Sequence, residues 1–234
     1  MLILLLLRIL IIFNTSNKDW PRMNKVALTF LLCLMGMAAI AQPEWHLKKD
    51  EDGIKVYTGE TPNSNFKSIK VDCIVNARVS QLIACLCDMS IQTEWVYNSK
   101  NAKLIKKIKD NEFAFYSEVN VPWPGTNRDY IAHITITQPT PKQTFIDSHS
   151  EPNLVPEKEG LVRVQKSTAH WELTPINSTS VRIVYTLAFD PAGAVPAWLI
   201  NLFLTKGPFE TFKQLKEEVK KPAYQNAHFD FIKE

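Results

Sequence analysis

The end of the chain constrains it most. A β-rich stretch at 181–189 runs into Asp190-Pro191-Ala192-Gly193-Ala194-Val195-Pro196, and a long amphipathic helix follows from Pro196-Ala197-Trp198. Trp198, Leu199, Leu202 and Phe203, then Phe209, Phe212, Leu215 and Val219, recur at helical spacing. Lys213, Lys216, Glu217, Lys220 and Lys221 stand between them as the wet face. Gly207-Pro208 predicts a kink or a split into two segments. Burial of each large side chain contributes roughly 1.5–3 kcal/mol, so the segment is a firm lid. A strand-rich body closed by one terminal helix implies a curved sheet gripping that helix. One helix cannot cover such a sheet without leaving an apolar hollow, and a hollow suits an oily ligand better than bond-breaking chemistry.

The rest of the pattern supplies the sheet. Residues 53–57 alternate apolar and polar, and 66–76 do the same with Ile69, Val71 and Cys73 on one face. The turn between them holds Pro62, Asn63, Ser64 and Asn65, a hairpin signal. Residues 45–50 read as a short helix and 79–89 as a longer one, with Leu82, Ile83, Leu86 and Met89 on one face. Strands are predicted at 102–109, 113–121, 130–137, 143–148, 161–173 and 181–189, with breakers between them that include Pro175-Ile176-Asn177. Short connections between successive strands imply an antiparallel meander. The order β-β-α-(β)n-α is an α+β fold of about seven to nine strands with helices on one side. Residues 226–234 read as a loose tail.

The N-terminus stands apart from that fold. Met23-Asn24-Lys25 is a basic start, 26–40 is an apolar run, and Ala39-Ile40-Ala41 places small residues where a signal peptidase reads them. This predicts a secretory signal peptide cleaved between Ala41 and Gln42, with Met23 as the true start and residues 1–22 as an extension. The apolar run before Phe13 is interrupted by Arg8 and is shorter than the ~20 residues that span a bilayer. An additional membrane hairpin or anchor there is the alternative. Leu32 before Cys33 does not fit a lipoprotein signal. The expected location is periplasmic or extracellular, in a bacterium.

The first 41 residues hold four of the 27 basic and one of the 24 acidic residues, which leaves 23 of each in the exported part. Polyanion binding needs a basic surplus, so nucleic acid is a poor partner. Seven Gly are too few for Gly-rich phosphate loops. Cys85 and Cys87, two apart on a helix, point to different sides, and with Cys73 they read as buried apolar thiols.

Several short strings then fall in order. Trp45-x-Leu47…Gly53-Ile54-x-Val56-Tyr57 comes first, and Val121-Pro122-Trp123-Pro124…Asn127-Arg128-Asp129-Tyr130 stands in the middle. Trp171 and Asp190-Pro191-x-Gly193-x-x-Pro196-x-Trp198 follow. Over roughly residues 44–221 the chain resembles the START family, the StAR-related lipid-transfer domains with a helix-grip fold. The resemblance implies a cavity between a curved antiparallel sheet and the C-terminal helix. It also implies binding of one lipid and, in many members, its movement between membranes. The sterol-binding pattern has a second arginine six residues after the Arg of the Arg-Asp pair, matched to an acid. Here that position is Ile134, and Glu118 on the neighbouring strand is the candidate acid. The ligand class therefore does not transfer from the resemblance.

The candidate ligand-binding residues are Trp95, Tyr116, Glu118, Arg128, His170, Trp198 and Phe203. Each has a plainer role. Arg128-Asp129 can be a paired corner after a Pro-rich turn, and Glu118 a solvated strand residue. His133 and His170 can be hydrogen-bonded strand groups, and the tryptophans core. Tyr116 and Glu118 face the cavity only if that side of their strand turns inward. No Gly-x-Ser-x-Gly elbow, His-Glu-x-x-His pair or zinc spacing is present, and no catalytic residue, cofactor or metal is assigned. The expected partner is a lipid or other hydrophobic small molecule, met transiently at a membrane surface, with the protein a monomer. The alternative is a cyclase- or hydrolase-like enzyme on a hydrophobic small molecule, which needs at least two polar groups converging in the hollow, such as Glu118 with His133 or His170. A binding or scaffold module with a filled core is a third reading.

Overall fold

The computed structural model describes residues 44–60, 67–192, 199 and 202–234. The chain divides after Gln42. The expected signal segment, its cleavage point, the turn after β2 and Trp198 lie outside the described residues.

Asp52 and Gly53, both at positive φ, join β1 (His46–Glu51) to β2 (Ile54–Glu60). Two such residues give the mirror-image turn that a tight hairpin requires. This overrides the helix expected at 45–50, which is an edge strand paired antiparallel with β2. β2 pairs with β3 (Lys67–Val75), setting Ile54 opposite Cys73 and Val56 opposite Val71, all buried. The chain then leaves the sheet for α1 (Val79–Cys87), a 3-10 turn (Met89–Ile91) and the single turn α2 (Gln92–Trp95). Leu82, Ile83 and Cys85 of α1 are buried.

A meander follows through β4 (Ser99–Lys109), β5 (Glu112–Val119), β6 (Arg128–Thr140) and β7 (Gln143–Ser150), each antiparallel to the one before. The single strand expected at 161–173 is two. β8 (Val162–Arg163) runs parallel to β6, whereas β9 (Ser167–Asn177) crosses to β7. Arg163 is drawn to β6 by Asp129, with Nε 2.7 Å from one carboxylate oxygen and Nη2 3.0 Å from the other. Pro175 does not break β9, because the strand runs on to Asn177. β10 (Ser180–Phe189) pairs with β9 on one side and β3 on the other. One ten-stranded sheet results, in the order β1-β2-β3-β10-β9-β7-β6-β5-β4 with β8 attached to β6.

The closing segment is split at Gly207, as its sequence predicts. A π-helical turn (Leu202–Lys206) leads into α3 (Gly207–Glu218). Pro208 sits in the first turn, where a missing N–H costs nothing. A side chain on Gly207 would press within 3.2 Å of the Leu202 carbonyl. Phe209, Phe212, Leu215 and Val219 are buried. The expected loose tail is anchored instead. Tyr224 of α4 (Pro222–Gln225) and Ile232 beyond it are buried, and the Glu234 carboxylate accepts from the Ser80 N–H at 3.1 Å. That carboxylate meets the first turn of α1, where unsatisfied N–H groups and the helix dipole favour an anion. Among the described residues, no helix is long and apolar enough to cross a membrane.

Candidate ligand cavity

Strand alternation decides which side chains meet the hollow. On β5 the more apolar set, Phe113, Phe115 and Val119, turns inward. On β6 it is Arg128, Tyr130, Ala132 and Ile134, and on β9 Ser167, Ala169 and Trp171. The α2 residues Gln92 and Trp95 form one end, and Phe203, Gly207, Thr211 and Phe212 of the closing segment line it as well. Together these elements line a cavity of roughly 300 Å³. Trp171, Tyr185 and Phe212 join sheet to roof as an aromatic cluster with centroids 4.4–5.4 Å apart.

The sequence-predicted site divides. Trp95, Arg128 and Phe203 line the cavity, and Phe203 meets Phe189 edge-on at 6.3 Å. Tyr116 and Glu118 do not line it. Ser117 is the inward residue between them, bonded to Gln92 Oε1 at 2.8 Å. Tyr116 is fully buried on the opposite face, where its hydroxyl accepts from Lys158 Nζ at 3.0 Å. Glu118 accepts from Lys100 Nζ at 2.7 Å. His170 is also on the outer face, half-exposed, with Nδ1 2.6 Å from Asp147. Trp198 lies outside the described residues. The cavity wall at position 134 is Ile, with Glu118 turned away from it, so the arginine–acid pair of the sterol pattern is not built. His133 faces outward, between Glu112 and Glu151 at 3.0 Å each. Glu118, His133 and His170, the groups named for the enzyme reading, therefore do not converge in the hollow.

The polar groups of the cavity are few. Arg128 is 6 % exposed. It donates to three backbone carbonyls, Thr126 at 2.5 Å and Pro191 and Ala192 at 3.4 Å each. Asp129 is not its partner, because both oxygens of that carboxylate are held by Arg163 on the outer face. Burial pulls the Arg128 guanidinium below its ordinary value. Burial pushes the phenols of Tyr130 and Tyr185 up, and the Cys87 thiol up to about 12, so all three are neutral near pH 7. Asp190 accepts from the Ala192 N–H at 2.9 Å and holds Ala192 at positive φ. The Asp190-Pro191 string therefore shapes the exit from β10 into the roof.

On the outer face, His133, His149 and Glu151 bring potential metal-ligand atoms within 4.8 Å of one another. The two rings stack at 4.9 Å, on paired positions of β6 and β7. Sequence spacing gives no sign of this group, since cross-strand register creates it.

The START domain family model matches residues 25–224. This chain belongs to the START domain family. An uncharacterised protein of Pseudomonas aeruginosa is 32% identical over 190 residues, covering 80% of this chain and 93% of that one. The phosphatidylcholine transfer protein of Rattus norvegicus is 26% identical over 196 residues, 81% of this chain and 88% of that one. The crystal structure of a STAR-related lipid transfer protein fragment from Xanthomonas axonopodis superposes with a TM-score of 0.69 at 27% identity, covering 76% of this chain and 99% of that one. The START assignment agrees with the ten-stranded sheet and C-terminal helix.

Sequence reasoning missed Gln92, Tyr130 and Thr211 as wall residues. Tyr130 was within reach, because it shares strand parity with Arg128. Gln92 and Thr211 carry no local signal; they become wall residues because α2 and α3 meet across the cavity end.

Proposed function

We propose that this START protein binds one lipid in the cavity and carries it between membrane surfaces. The observation that carries this reading is the apolar hollow of roughly 300 Å³ roofed by the C-terminal segment. That volume is at the lower end of small-molecule sites, enough for one oily ligand. Burying hydrocarbon there contributes about 25 cal/mol per Å² removed from water. The transfer function named for the rat relative supports the same direction.

The loop between β5 and β6 suggests where the membrane is met. Trp123 is 91 % exposed at its tip. A side chain on Gly125 would meet Val121 and Leu199, so this loop packs against the start of the roof. Tryptophan suits the boundary between headgroups and hydrocarbon. Contact there would bring a bilayer to the edge at which the roof must part. With the signal segment read at 23–41, the carrier is exported and crosses an aqueous gap such as a periplasm as a monomer.

Native mass spectrometry and organic extraction of the purified protein test the binding, and lipid exchange between donor and acceptor vesicles tests the carriage. A bound lipid and accelerated exchange are expected. An empty protein that leaves the exchange rate unchanged overturns the proposal.

A further inference from the structure

Among the described residues, the cavity has one fixed charge and no acid to balance it. Among its lining residues Arg128 is the single charged side chain, and no Asp or Glu stands with it. The acid next to it in sequence, Asp129, is spent on Arg163. A guanidinium carries five N–H donors. Three go to backbone carbonyls, two of them at the long limit of 3.4 Å. A buried cation satisfied only by neutral dipoles still lacks its counter-charge, and that is costly in a low-dielectric site.

The other polar groups of the wall lean the same way. The indole Nε1 of Trp95 is buried and has no acceptor. The amide nitrogen of Gln92 has only the Met89 thioether, at 3.9 Å, whereas its oxygen is occupied by Ser117. Two N–H groups at this end of the wall therefore lack an oxygen acceptor among the described residues. A ligand that brings oxygen acceptors and negative charge meets these needs; one that brings an ammonium group meets none of them.

We propose that the cavity selects lipids whose buried head is an anionic oxygen group, a carboxylate or a phosphate, paired with Arg128. This rests on the lipid-binding reading above and narrows it. A carboxylate or phosphate takes two parallel N–H bonds from a guanidinium, a geometry an alcohol cannot match.

The test holds the hydrocarbon constant and changes the head. Oleate, oleyl alcohol and oleylamine are titrated against the full chain by displacement of an apolar fluorescent probe. Vesicles loaded with phosphatidylglycerol or with diacylglycerol serve as donors in a parallel transfer assay. Oleate is expected to bind at least about tenfold tighter than the alcohol, the scale of one charge-assisted hydrogen-bonded pair. The amine is expected to bind weakest. Preference for oleate alone identifies a free carboxylate as the source, and preferential transfer of phosphatidylglycerol identifies a phosphodiester; either supports the inference.

Arg128→Gln should erase the preference while binding of the alcohol persists. If that variant does not fold, Arg128→Lys, which keeps the charge and loses the two-pronged geometry, should weaken oleate several-fold more than the alcohol. Equal affinity for oleate and oleyl alcohol, or preference for the amine, overturns this inference and leaves lipid carriage standing. Failure of every probe to bind overturns the lipid-binding reading and this inference with it.

Discussion

The two faces of β5 and β6 treat charge differently. On the outer face each buried or half-buried ionic group has a partner. Asp129 is forked by Arg163 with both side chains 1 % exposed, Glu118 holds Lys100, and Glu112 sits between Lys109 and His133. On the inner face the one cation, Arg128, has backbone carbonyls and no carboxylate among the described residues. The outer face is a finished surface whose charges are neutralised within the chain. The inner face is unfinished in the sense that matters for binding: it is apolar, hollow and charge-unbalanced.

The largest test of that contrast is Asp129→Ala. It leaves Arg163 buried without its counter-ion and should cost about 3–5 kcal/mol, read as a shift of the denaturant midpoint. A loss below ~1 kcal/mol would mean that the outer pairs are ornamental and the contrast false. Phe212→Ala, on the roof, removes a ring packed on Trp171 and Tyr185. It should cost about 3 kcal/mol and enlarge the hollow, so that a bulkier ligand is retained in native mass spectra.

The inner phenols sharpen the comparison by pH. Burial raises Tyr130 and Tyr185 above the ordinary 10.0. The folded state therefore holds those protons longer than the unfolded chain. Their contribution to stability is full below about pH 10 and is lost as pH rises through the raised folded values. Melting curves from pH 8 to 12 should fall in the alkaline limb, and Tyr185→Phe should flatten that fall. Trp123→Ala should shift stability by under ~0.5 kcal/mol while weakening vesicle association and slowing transfer. Smallest is Glu118→Gln. It breaks a pair with the half-exposed Lys100 and should cost about 0–1 kcal/mol with unchanged ligand affinity.

Much of the architecture was legible in the residues. Ile69, Val71 and Cys73 alternate onto a buried face, and Gly207-Pro208 marks the junction between the π turn and α3. The errors are instructive in kind. The 45–50 segment is a strand because Asp52-Gly53 folds it back on β2, and the run at 161–173 is cut because Arg163 must reach Asp129. The tail is fixed because Glu234 finds the Ser80 N–H in the first turn of α1, more than a hundred residues away. Each depends on a partner remote from the local pattern.

The same division holds at the site. Period-two alternation, read from sequence alone, already bound Tyr116 to Glu118 and Phe113 to Phe115 as opposite sets, and the C-terminal pattern already required a roof. Which set faces inward is a matter of register, set when β5 pairs with β4 and β6 and the more apolar side is drawn under the closing helix. Sequence therefore determined the sheet, the lid and the hydrocarbon character of what lies between, because periodicity and burial are local properties of the chain. Only the tertiary structure decided that Arg128 faces the hollow without an acid. Charge balance in a buried site depends on which side chains long-range pairing brings within a few ångströms.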